Sequence, residues 1–198
     1  MKNVTRWLAV AFLLVSLGHL THAESFAVDR THSAVGFAIR HLISTVHGRF
    51  TKFSGTIEYD STDASRFSIE FTVQDSSINT DNEGRDGHLR SEDFFWTDSF
   101  PTMTFKSTNS YIKDKQNYVD GDLTLRGVTK HVSIPFNIIG VLGSGEKKVL
   151  GLHSTFVIDR TDYGIKWNNP LEAGGYVLGT DVTINIDIEA RKPRPPRQ

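Results

Sequence analysis

The chain has 198 residues, 38% of them hydrophobic, and its 22 Lys and Arg against 23 Asp and Glu leave a formal charge of −1 at pH 7. That balance argues against a nucleic-acid binder, which presents a basic surface. There is no cysteine, which excludes disulfides, thiol nucleophiles and thiolate metal sites.

Residues 1–23 read as a secretory signal peptide. Lys2 and Arg6 give a basic start, Trp7 to Leu17 is an apolar stretch too short to span a bilayer, and Ala23 offers a small residue for cleavage before Glu24. An uncleaved membrane anchor is the alternative reading. Loss of Lys2 and Arg6 takes the net charge from −1 to −3. Export without any cysteine fits a bacterial periplasm.

From there the dominant signal is a two-residue alternation. Strands are expected at 26–29, 33–41, 49–60, 66–74, 102–113, 118–126, 128–140, 149–160 and 179–190. In one of them Phe67, Ile69, Phe71 and Val73 alternate with Ser68, Glu70, Thr72 and Gln74; in the last, Val182, Ile184, Ile186 and Ile188 alternate with polar residues. Successive strand side chains point to opposite faces, so each run has one apolar and one wet face. Hairpin links at 113–117, 125–128 and 142–148 make sequential strands antiparallel neighbours. The expected fold class is all-β, an antiparallel barrel of about eight strands over 24–190, closed so that no edge is exposed.

Two connections are too long for hairpins and are expected to cover one end of the barrel, as structure or as function. Residues 75–101 contain a helix-like stretch reaching Phe95, with Asp81 as its expected N-cap. Residues 160–178 hold Tyr163, Trp167 and Gly174-Gly175. The basic, proline-rich end at 191–198 reads as an extended, disordered tail.

Four small residues, Gly55, Ser107, Gly121 and Ser154, share strand parity with large apolar neighbours. They leave either a cavity or the bends that close a barrel. The segment Arg85 to Phe95 is the densest polar cluster, and its Arg85, Asp86, Arg90 and Asp93 are expected to form ion pairs tying the helix to the wall. No nucleophile elbow or phosphate loop is present, and the mature chain's six histidines lack metal-site spacing. Neither a catalytic residue nor a metal ligand is therefore assigned.

The chain resembles the YceI-like family of polyisoprenoid-binding periplasmic proteins. The resemblance rests on Asp29-Arg30-Thr31-His32-Ser33, on His41 through Phe50, on Phe53 through Ile57, and on Arg85 through Phe95. It continues in Phe100 through Ser107, Gly121 through Lys130, and Asp159 through Gly164 with Trp167-Asn168. His47 departs from it, standing where many members carry Arg, and the basic tail is not a family feature. The resemblance implies a lipocalin-like barrel whose elongated cavity holds a long isoprenoid or related amphiphile.

The leading expectation is thus a periplasmic carrier that sequesters an isoprenoid or quinone-like lipid without covalent chemistry and with no other cofactor. The expected lining is Val35, Phe37, Phe53, Phe71, Phe105, Leu123, Phe136 and Phe156, with Trp167 near one end. Arg85, His88, Arg90 and Lys166 are the polar candidates for a head group. The expected partner is the hydrophobic ligand and not nucleic acid; peripheral membrane contact through the basic tail, and pairing into a homodimer, stay open. The rival readings are a small secreted hydrolase using His88 and a structural stress-response protein with an incidental cavity.

Overall fold

Strand pairing closes the chain on itself. The computed structural model describes residues 23–63, 66–172 and 174–193, so the expected signal peptide up to residue 22 and the expected tail beyond Pro193 lie outside the described residues. The strands are β1 (Glu24–Val28), β2 (Ala34–His41), β3 (Ser44–Phe50), β4 (Phe53–Tyr59), β5 (Ser68–Gln74), β6 (Ile78–Asn79), β7 (Thr102–Lys113), β8 (Gln116–Leu125), β9 (Val128–Leu142), β10 (Val149–Asp159) and β11 (Leu178–Arg191). All pairings are antiparallel, in the order β1-β4-β5-β7-β8-β9-β10-β11-β2-β3-β6, and β1 also pairs with β11. Three pairs, β1 with β2, β3 with β4 and β5 with β6, each act as one interrupted strand. The result is an eight-stranded up-and-down barrel, with β11 holding β1 through Val28↔Ala190 and β2 through Ile184↔Phe37.

The alternation in the sequence sets which face is buried. Phe67, Phe71 and Val73 are buried, while Ser68 and Glu70 between them are exposed. Two corners are two-residue turns with left-handed backbone at both positions, Asp114-Lys115 and Arg126-Gly127. That geometry matches the twist of the flanking strands and fixes their register.

The three interruptions lie side by side, and side chains replace the missing ladder bonds there. Lys52 N–H donates to Ser77 Oγ at 3.0 Å, Arg30 Nη1 to the Thr51 carbonyl at 3.0 Å, and Met103 N–H to Asp75 Oδ1 at 3.0 Å. Asp75 is fully buried, and its other oxygen, Oδ2, has no hydrogen-bond partner. Broken ladders bend strands, so the wall turns at this level.

Some expectations are corrected. Residues 44–48 are strand, although they hold only one large apolar side chain, because each pairs with a residue of β2, from Ser44↔His41 to Gly48↔Phe37. The helix, α1 (Glu83–Arg90), ends five residues before Phe95, and its N-cap is Asn82, whose side chain accepts from Arg85 N–H. Asp81 has left-handed backbone (φ 58°), whereas a cap needs the extended conformation that Asn82 adopts.

The two ends of the barrel differ. At the end holding the described termini, Phe26, Ile57, Leu150 and Ala190 are at most 1% exposed, and Phe67 stacks on Phe136 with centroids 4.2 Å apart. This end is packed solid. Both long connections cross the other end, where Phe94, Tyr163 and Ile165 join Leu125 and Leu178 in a second apolar cluster.

Candidate apolar chamber

Between the packed end and the long connections the barrel holds two apolar spaces. The inner one, of about 140 Å³, lies among side chains of β5, β7, β8, β9, β10 and β11. The outer one, of about 440 Å³, lies under α1 and the 160–178 connection. Met103, Leu125, Ile158 and Ile184 belong to the walls of both, so the spaces adjoin along the barrel axis. The outer space alone falls within the range of small-molecule sites.

Most of the residues expected from strand parity stand on these walls. Val35, Phe71, Phe105, Leu123, Phe136 and Phe156 line the inner space, and Phe37 and Trp167 the outer one. Phe53 is on neither wall; it is buried against Phe71, centroids 5.7 Å apart, in the packed shell. The small residues do not open the cavity as one reading had it. A Cβ on Gly55 would lie 2.6 Å from Phe71 Cδ2, and one on Gly121 2.6 Å from Phe105 Cζ. These glycines seat aromatic rings against the strand backbone. Ser107 Oγ accepts from Ile69 N–H at 2.8 Å, and Ser154 Oγ donates to the Pro135 carbonyl at 2.7 Å. The Ser154 hydroxyl, though on the inner wall, is therefore already engaged.

Polar groups gather on the outer space. Arg85 and His88 of α1, His41 of β2 and Arg160 belong to its wall. Arg85 donates from Nε to Thr80 Oγ1 and from Nη2 to the Thr80 carbonyl, both at 2.8 Å. Asp86, buried behind it, accepts from Thr80 N–H at 2.9 Å and from its hydroxyl at 2.6 Å. Arg90 points away from the space and donates to the Ser76 and Ile78 carbonyls. Backbone and hydroxyl partners thus replace the ion pairs expected for Arg85, Asp86 and Arg90. Lys166 is exposed and lies off the wall.

His88 Nε2 lies 2.9 Å from Asp93 Oδ2, and its ring meets Phe94 and Trp167 edge to face at 5.0 Å. An acid–histidine pair of this kind could support base catalysis if a nucleophile joined it. Among the described residues no hydroxyl is hydrogen-bonded to the His88 ring, and Ser91 donates instead to the His88 carbonyl at 2.8 Å.

Sequence reasoning missed Arg160. It is buried, with Nε on the Gly179 carbonyl at 2.8 Å and Nη1 on those of Ile165 and Trp167 at 2.8 and 2.9 Å. It makes no salt bridge with a carboxylate among the described residues, and burial pulls its pKa down from the usual range. An arginine there remains charged. Asp159 directs its own carboxylate to Thr161, whose hydroxyl and N–H hold it below the ordinary range. The wall therefore carries a buried positive charge in addition to Arg85, His88 and His41, on a space otherwise lined by apolar side chains. Arg160→Met leaves three carbonyls without a donor and should cost about 2–4 kcal/mol, roughly 5–10 °C in Tm for a domain of this size; thermal unfolding measures it.

Away from the chambers, Asp29, His32 and Glu189 come together on the outer surface. Arg191 contacts both carboxylates, at 2.9 Å for Asp29, and so occupies that cluster.

Fold and chambers together define a closed antiparallel barrel of the lipocalin-like class. Residues 26–190 match the model of the YceI-like domain, and the chain belongs to the YceI-like family. UPF0312 protein SA2479 of Staphylococcus aureus strain N315 is 39% identical over 168 residues, covering 83% of this chain and 96% of that protein. Among solved structures, the Campylobacter jejuni YCEI protein is similar with a TM-score of 0.66 and 30% identity, over 79% of this chain and 91% of that one. Burkholderia cenocepacia BcnA gives a TM-score of 0.71 at 20% identity, over 82% and 98% of the two chains. A polyisoprenoid binding domain from Saccharophagus degradans gives 0.60 at 19% identity, over 85% and 98%. The last two share the fold.

Proposed function

We propose that this protein is a periplasmic carrier that sequesters one long isoprenoid or related amphiphile, with no covalent chemistry. The observation that carries the proposal is the pair of adjoining apolar chambers, sealed at one end, with cationic groups collected at the other. Each methylene taken from water is worth about 0.8 kcal/mol, so a few isoprene units supply micromolar affinity without any polar contact. Arg85, His88 and Arg160 favour a ligand end rich in acceptors, such as a quinone carbonyl, a hydroxyl or a phosphate. The likeness in fold to a domain described as polyisoprenoid binding supports the same reading.

Native mass spectrometry of gently purified protein tests it. The expected result is a copurifying prenyl lipid at one per chain, recovered chemically unaltered. Phe37→Asp puts a carboxylate on the outer chamber wall and should abolish that mass increment while circular dichroism still reports a folded barrel. A consistently empty wild-type barrel, or turnover of the ligand that His88→Ala removes, would overturn the proposal.

A further inference from the structure

The hairpin joining β2 to β3 ends in Leu42-Ile43, and Ile43 is fully exposed, the most exposed large apolar side chain among the described residues. Leu42 and Tyr176 are exposed beside it, brought together by the hydrogen bond from Leu42 N–H to the Val177 carbonyl at 2.8 Å. Nothing about the turn asks for these residues. Leu42 takes a left-handed backbone (φ 52°) at the first position of a two-residue turn, where glycine or asparagine fits without strain. An aliphatic side chain kept at a position that disfavours it, beside another left fully in water, points to something the tip touches.

The tip's place in the fold indicates what that is. His41 and Val46, on either side of it, are wall residues of the outer chamber. The solvent-exposed wall residues are Gly84, Arg85 and His88 on α1, and His41 and Val46 at the foot of the tip are half-buried, which places the way out to solvent at α1 on the side of this hairpin. The tip thus stands at the rim of an apolar opening. It also carries a cation: Arg40 Nη1 holds the Leu42 carbonyl at 3.0 Å, and Arg40 has no carboxylate partner among the described residues. Exposed Lys166, next to chamber residues Ile165 and Trp167, has none either. Exposed carboxylates near the rim are Glu83, Asp93 (paired with His88 at 2.9 Å), Glu172 and Asp181, the last next to wall residue Val182.

We infer that Leu42-Ile43 dips into the surface of an anionic phospholipid bilayer, with Tyr176 at the head-group level and Arg40 on a lipid phosphate. Aliphatic side chains submerged below an arginine and an aromatic residue are the arrangement that lets a peripheral protein rest on a membrane. This deepens the carrier reading, since it gives the cargo a dry path from bilayer to chamber; docking itself is measured without reference to cargo. It also separates the docking face from the basic tail. β11 runs from Leu178 at the rim to Arg191 at the packed end, about 40 Å of strand, so the tail leaves from the opposite end.

Cosedimentation of the full mature chain with vesicles of phosphatidylcholine and phosphatidylglycerol tests the inference. The wild type should bind, and the double variant Leu42→Asn, Ile43→Ser should bind at least tenfold more weakly. Asparagine suits the left-handed position, so the variant should fold as well as the wild type, with Tm as the check. Arg40→Gln should weaken binding to phosphatidylglycerol vesicles more than to pure phosphatidylcholine. The inference is overturned if the wild type does not sediment with vesicles, or if the double variant sediments equally. It is overturned too if binding is instead lost by truncation after Pro193 or by Ile139→Ser with Leu142→Ser at the packed end, or if the tip proves to hold a dimer that the double variant splits. Uptake of a prenyl lipid from ethanol solution keeps the two readings apart. A double variant that fills normally yet no longer docks supports the inference. A wild type that docks but never fills refutes the carrier alone.

Discussion

Ile184→Trp should divide the cavity in two and cut the affinity for long prenyl chains about a hundredfold or more. Ile184 lies on the walls of both chambers, with Met103, Leu125 and Ile158 around the same junction. An indole there fills the passage, so a chain entering from the outer chamber can no longer reach the inner one. Denying four methylenes their burial costs about 3 kcal/mol, which is the stated loss in affinity. Ligands short enough to fit the outer chamber should bind almost as before. The added bulk should lower stability by about 1–3 kcal/mol, so the barrel remains folded. Titration with prenyl alcohols of increasing length measures the effect. Wild-type affinity should climb with length and the variant's should level off; parallel curves would mean that cargo does not use the inner chamber.

Asp75→Asn should change how stability depends on pH. Burial pushes the Asp75 carboxyl up to about 7, only partly offset by the hydrogen bond from Met103 N–H. The unfolded chain releases the same proton near pH 4. Between those values the native state binds more proton than the unfolded one, so stability falls as pH rises, by up to about 4 kcal/mol across the window. Above pH 7 the native protein carries a buried carboxylate whose Oδ2 has no partner. Asparagine keeps the acceptor for Met103 N–H and has no charge to bury. The variant should therefore melt roughly 5–10 °C higher than wild type at pH 8, a gap that narrows as pH falls and closes near pH 4. Scanning calorimetry from pH 5 to 8 decides the point, and equal slopes for the two proteins would refute it. Glu24, Asp29 and Asp159, all held below their ordinary range by their partners, act in the opposite sense, losing stability as pH falls through their depressed values.

Strand parity made the barrel and most of its inner wall legible, because in a closed sheet every second side chain must point inward. It assigned Phe71, Phe105 and Phe136 to the interior by position alone, and those rings do face the inner chamber. Parity does not tell a ring bordering open space from one packed solid. Phe53 has the inward position of its neighbours but lies beside the break between β3 and β4, where Phe71 covers it. Side chains carried by the long connections were harder still. Arg85 and Arg90 look alike in sequence, yet one is on the chamber wall and the other on the carbonyls of residues 76 and 78. Arg160, at the end of a regular strand, gave no sign that it would be buried. Asp75 reads as an ordinary polar residue ending a strand. Its burial follows from the three stacked interruptions, a tertiary arrangement with no local pattern.

The packed end also decides how the molecule can be handled. Glu24 and Lys192 are joined by an ion pair at 3.0 Å, so the first and last strands finish side by side, away from the opening. A fluorescent label, an affinity handle or a solid support attached at either point would leave the entrance unobstructed. A short peptide spliced between the two would give a seamless ring, from which circular permutants could be cut at the 142–149 hairpin.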